Sequence, residues 1–158
     1  RTLTIHYYKQ EMVNEKVKLP TDEETTLFYE NNKQLFILEQ PIIKGAIMKV
    51  PNNVKTDKIQ RKFKDLDNIA EIEKYALQYA KDYQLFTEYW RPIKEIIDIE
   101  TSNLKINKSG YYEERDSLNI TFINITEYIS QGEIAPIEMI KEEARMILYN
   151  QQKMEYLK

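Results

Sequence analysis

The chain contains no cysteine, which excludes a disulfide framework, a thiol nucleophile and any cysteine-ligated metal site. Its single histidine, His6, cannot supply a two-histidine zinc site or a two-histidine phosphodiesterase site within one chain. There are only three glycines, Gly45, Gly110 and Gly132, and they are isolated. Neither a Walker loop nor a dinucleotide fingerprint can be written from them. So few glycines, with five prolines, also argue against a loop-rich all-β design. The longest apolar run is Leu35-Phe36-Ile37-Leu38, far short of the ~20 residues that span a bilayer. No secretory pattern opens the sequence. A cytoplasmic location without membrane association is expected, with a leader or preceding domain before Arg1 left open.

What is present describes a folded domain. The 158 residues fit one α+β domain over positions 1–158. Apolar residues make up 42% and charged residues 31%, a globular balance and not a disordered one. The formal net charge is −3, the opposite of a globally basic nucleic-acid binder. Lysine outnumbers arginine 18 to five, and Ile, Asn, Glu and Tyr are common, as in products of AT-rich genomes.

Periodicity divides the chain into four stretches. Residues 1–53 read as strands. Leu3, Ile5 and Tyr7 alternate with Thr4, His6 and Tyr8. Val17 and Leu19 fit a second short strand. Residues 25–30 and 33–38 flank Asn31-Asn32, and Asn tolerates the positive φ of a two-residue hairpin turn. That register sets Glu30 against Lys33, Phe28 against Leu35 and Thr26 against Ile37. Pro41 to Val50 reads as a further strand, with Ile42, Ala46, Met48 and Val50 on one face and Gly45 marking a bulge or close backbone contact.

Residues 56–98 switch to helical period. Asp67 or Asn68 can cap, with Glu71 three residues after Asn68. Ile69, Ile72, Ala76, Tyr79, Ala80, Tyr83 and Phe86 then form one stripe of a long central helix. Pro92 ends or kinks it, and Ile93, Ile96 and Ile97 fit either a helical piece or a strand. Residues 103–125 read as strands at Leu104–Ile106 and Leu118–Phe122. Residues 135–157 read as a C-terminal helix opened by Pro136. The order predicts an antiparallel sheet of about five to six strands, with the long central helix and the C-terminal helix packed on one face.

Few constellations carry chemistry. His6 shares the less apolar face of its strand with Thr4 and Tyr8, where a solvent-facing role is the plainer reading. The acidic groups Asp22-Glu23-Glu24, Glu95-Asp98-Glu100 and Glu113-Glu114-Asp116 offer carboxylates for Mg²⁺ or Ca²⁺, but solvated loops explain them as well. No catalytic residue, metal ligand or cofactor site is assigned from the sequence. Asn107, Asn119 and Asn124 open glycosylation-type triplets, which chance supplies in an Asn-rich chain.

Two segments point to partners. Lys55, Lys58, Arg61, Lys62 and Lys64 face Asp57 alone, a local charge of +4. On a helix with Ile59 and Phe63 inward, Lys58, Arg61 and Lys62 point outward and can meet phosphates. Among 12 tyrosines, Tyr111 and Tyr112 stand beside Arg115, a combination that protein interfaces use. The expected function is a non-enzymatic protein-binding or regulatory domain, such as a phage or mobile-element accessory protein, contacting a protein through Tyr111, Tyr112 and Arg115. Nucleic-acid binding through residues 55–64 is the alternative, and a carboxylate- or metal-dependent enzyme is the third.

Overall fold

The computed structural model describes residues 17–157, in two compact units. The larger, residues 38–133, is built on β1 (Ile42–Pro51). Helices α2 (Asp57–Asp65) and α3 (Ile69–Tyr79) follow, then β2 (Asp82–Pro92) and the one-turn α4 (Ile93–Ile96). Strands β3 (Gly110–Arg115) and β4 (Asn119–Ile129) complete it. The sheet runs in the order β2-β1-β4-β3 with every pair antiparallel.

Antiparallel alternation sorts the side chains of β1 and β4 to two faces. Ala46, Met48 and Val50 meet Ile120 and Phe122 on one, under Ile59 and Phe63 of α2 and Ile72 and Ala76 of α3. Ile43 and Ile47 meet Phe86, Ile123 and Ile125 on the other, covered by Ile93, Ile96 and Ile97 with Leu104 and Ile106. Full burial of such side chains contributes about 1.5–3 kcal/mol each. Phe63 and Phe122 are both fully buried, ring centroids 6.0 Å apart.

The α+β class and the antiparallel sheet are as expected, but the details differ. The sheet has four strands among the described residues, not five to six. Helices cover one face through α2 and α3, and α4 lies on the other. The expected strand at Leu3–Tyr7 and His6 lie outside the described residues. Val17 to Leu19 is irregular chain, not a strand. The long central helix stops at Tyr79, because Ala80 turns to an extended conformation and the Lys81 N–H donates to the Lys49 carbonyl at 2.7 Å. Tyr83 and Phe86 continue the helical spacing by coincidence. They belong to β2, whose hydrogen bonds go to β1. Leu104 and Ile106 pack without strand pairing, and the strand lies at Gly110–Arg115 instead.

The smaller unit holds α1 (Asp22–Asn31), a short 3₁₀ helix (Lys33–Phe36) and α5 (Ile137–Leu157). Here the expected hairpin is replaced by helix. Thr21 and Glu24 form a reciprocal capping box, each side chain accepting the other's backbone N–H at 3.1 Å. Asp22, Glu23 and Glu24 then load the first turn with charge favourable to the helix dipole. Thr25, Phe28 and Tyr29 form the buried stripe, and Phe36 packs on both rings. Asn32, read as a turn residue, ends α1 by donating from its side chain to the Phe28 carbonyl at 2.8 Å. The Glu30–Lys33 attraction is made, at 3.1 Å, between residues three apart in sequence and not across a hairpin. Thr21→Ala should cost about 1 kcal/mol in denaturant unfolding. An unchanged midpoint would show that the cap does not hold α1.

The Tyr29 hydroxyl donates to the Ala135 carbonyl at 2.6 Å, just before α5. Arg145 and Lys141 of α5 both pair with Asp22. The Arg145 guanidinium, with Lys141 next, holds the Asp22 carboxyl below its ordinary value. No helix among the described residues is long and apolar enough to cross a membrane.

Candidate functional site

The basic segment folds as the helix the sequence predicts, with Ile59 and Phe63 buried. A spacing of four sets Lys58 and Lys62 along one side of it, and Lys55 stands just before its N-cap, Thr56. The chain then doubles back through Leu66 and Asn68, both in left-handed conformation with φ of 47° and 54°. The Asn68 side chain accepts the Glu71 N–H at 3.3 Å and starts α3. Helix α3 thus returns beside α2 and brings Lys74, Tyr75, Gln78 and Tyr79 opposite the lysines. Between the helices lies a groove of about 760 Å³.

The groove is apolar within and cationic at its margins. Val54, Ile59 and the two tyrosines line it with Lys55, Lys58, Lys62 and Lys74, against one carboxylate, Glu71. The Tyr75 and Tyr79 rings lie 4.8 Å apart at 48°. The Tyr75 hydroxyl donates to the Lys55 carbonyl at 2.9 Å and ties the groove's mouth to α3. Burial of that phenol, with Tyr79 beside it, raises its pKa, so it stays a neutral donor. Glu71 is spent on an ion pair with Lys62 near the corner between the helices. Lys55, Lys58 and Lys74 are exposed and form no ion pair among the described residues. Like charges gathered over low-dielectric walls create a field that attracts anions. The arrangement can bind a negatively charged group whose neighbour is apolar or aromatic.

The remaining residues of the basic segment lie elsewhere. Arg61 is exposed, its Nε 3.5 Å from the Asp57 carbonyl. Lys64 sits 5.3 Å over the Tyr111 ring and so links the two segments singled out in the sequence.

Tyr111, Tyr112 and Arg115 belong to edge strand β3. Alternation sends the two rings to opposite faces. Tyr111 packs half-buried against the Phe63–Phe122 cluster, and its hydroxyl donates to Glu113 at 3.3 Å. Burial, with the Glu113 charge next, pushes its pKa far up. Tyr112 packs against the Ile43 cluster and donates to the Lys108 carbonyl at 2.8 Å. Only Arg115 of the three is exposed. Two rings on opposite faces present no joint contact surface.

The acidic groups separate in the same way. Glu113 accepts from Gln60, Glu114 from Ser102 and the Asn103 N–H, and Asp116 from the Leu118 and Asn119 N–H groups. Glu95 pairs with Arg91, and Asp98 accepts the Glu100 N–H. No group of three or more such side chains is placed to hold a metal ion among the described residues. Asn119 and Asn124, read as triplet openers, are buried.

Lys74, Tyr75, Gln78 and Tyr79 are the residues that sequence reasoning missed. A usable signal existed, since Tyr75 and Tyr79 stand four apart and Lys74 precedes the pair. Extending the helix to Phe86 assigned Tyr79 to the core instead. No protein-family model matches the chain, and no curated protein matches it either.

Proposed function

We propose that the chain is a non-enzymatic binding domain that engages a protein partner through the groove between α2 and α3. The observation that carries this reading is the set of three exposed lysines, Lys55, Lys58 and Lys74, that form no ion pair among the described residues and stand around a tyrosine pair. Charge at the margin with an apolar interior is the plan of a partner-binding site. Tyr111 and Tyr112 serve the core in this reading, and the contact surface moves from β3 to the helices.

Nucleic acid is the second reading, supported by Arg61, which extends the positive charge around the outer side of α2. Against it stand the net charge of −3 and the exposed acids Asp57, at the start of α2, and Asp65 and Asp67, at the corner. A long phosphate chain would pass over them.

The test is the double variant Lys58→Glu with Lys74→Glu. Both side chains are exposed, so the circular dichroism spectrum should be unchanged. Reversing two exposed charges should weaken capture of the partner about tenfold or more, in lysate treated with nuclease. Full capture by the double variant would remove the groove from the function. Capture that disappears with nuclease alone would favour nucleic acid.

A further inference from the structure

We infer that the groove takes a short acidic protein segment carrying one apolar side chain, and that Glu71 already holds the place of one of its carboxylates. This rests on the groove reading above.

The first argument is charge complementarity. Three lysines that form no ion pair among the described residues approach from both walls, Lys55 and Lys58 from the α2 side and Lys74 from α3. Between them the surface is that of Val54, Ile59 and the tyrosine rings. Carboxylates flanking one apolar side chain match that order, with the apolar group on the rings and the acids on the ammonium groups.

The second argument is length. Helix α3 has 11 residues, so it is about 16 Å long. Asp57 stands at the start of α2, and Asp65 and Asp67 stand at the corner. Binding of a regular polyanion is repelled where it passes these acids. A segment of a few residues ends inside them.

The third argument is the Lys62–Glu71 ion pair. Of the four groove lysines, Lys62 is the one answered by a carboxylate, and that carboxylate comes from the chain itself. Glu71 places a carboxylate beside Lys62. It also competes with an incoming acid for Lys62. Its backbone N–H, which Asn68 caps, is untouched by a change of side chain.

The probe is a labelled short peptide of glutamate and aspartate around one central leucine, followed by fluorescence polarisation with the full chain. Its counterparts are the same peptide with glutamine and asparagine, the same peptide with glycine for leucine, and a short oligothymidylate of equal charge. The acidic peptide should bind with an affinity that falls as salt is added. Glu71→Gln should tighten it roughly threefold, and Lys58→Glu with Lys74→Glu should weaken it about tenfold. The three counterparts should bind at least several-fold more weakly.

Equal binding of the acidic and amide peptides, or equal binding of the oligothymidylate, overturns the inference. Affinity unchanged or weakened by Glu71→Gln overturns the role of Glu71. If the peptide fails while partner capture still depends on Lys58 and Lys74, the segment chemistry is wrong and the groove reading stands. If neither depends on them, both readings fall.

Discussion

Gly45→Ala is expected to cost the chain about 3 kcal/mol of stability or more, among the largest effects a single methyl group can have. Gly45 lies within β1, where the register against β4 shifts between Lys44 and Gly45. The backbone there comes so close that an added methyl carbon would lie 1.9 Å from the Asn124 carbonyl oxygen and 3.1 Å from the Ile125 Cα. Both neighbours are backbone in the adjoining central strand, so no flexible side chain can yield. The strands must part, and the pairing that carries both apolar clusters parts with them. Urea unfolding of the two proteins checks this. A midpoint equal to that of the unchanged chain would mean that β1 and β4 tolerate the methyl group and are not so closely joined. The total stability of a domain is of order 5–15 kcal/mol, so this one carbon is a large share of it.

Gly45 also marks where the sequence could be read and where it could not. An isolated glycine in a strand pattern signals a bulge or close approach, and both are found. Strand β1, helix α2 and helix α5 were legible because each has one strong period and a clear stop. The chain around α1 was not. Thr25, Thr26 and Asn31-Asn32 have the composition of a hairpin, and the Thr21–Glu24 cap that selects helix is only two side chains. Residues 80–86 were ambiguous in principle. Tyr83 and Phe86 satisfy helical spacing and strand composition alike, and pairing with β1 decides between them. Half of the groove was legible for the same reason that α2 was. Lys58 and Lys62 follow from spacing on one helix, with Lys55 just before it. Lys74, Tyr75 and Tyr79 join them only because the chain reverses at Leu66 and Asn68, and nothing local forces a leucine into left-handed conformation. That cost, of order 1–2 kcal/mol, is met by tertiary bonds.

Asn124 supplies two of these bonds, beside the Asp67 N–H donated to the Lys62 carbonyl, and its replacement should have the second large effect. Its side-chain Nδ2 donates to the Phe63 and Lys64 carbonyls, each at 2.9 Å, from a position on β4 that is 8% exposed. These are among the last carbonyls of α2; the Phe63 carbonyl also accepts the Leu66 N–H at 3.3 Å, and the Lys64 carbonyl relies on Asn124. Asn124→Leu keeps the volume and removes both donations. Losing both donations, with the Lys64 carbonyl left unanswered, should cost about 1–3 kcal/mol in urea unfolding. The loss should also reach the groove, because Asn124 fixes the end of α2 from which the chain turns into α3. The acidic peptide should therefore bind more weakly to the folded variant, although no groove residue has changed. Asn124→Asp separates hydrogen bonding from packing. A carboxylate facing two carbonyl oxygens in a buried site has its pKa raised above the ordinary value of about 3.9. Protons then bind the folded chain more tightly than the unfolded one. The variant should be most stable below that ordinary value and should lose stability as pH rises toward the raised one. A flat difference from the unchanged chain across that range would show that Asn124 acts by shape alone. The residue thus holds two things at once: its carbonyl lies against Gly45 and keeps the central strands close, while its amide holds the corner that sets three lysines around a pair of tyrosines.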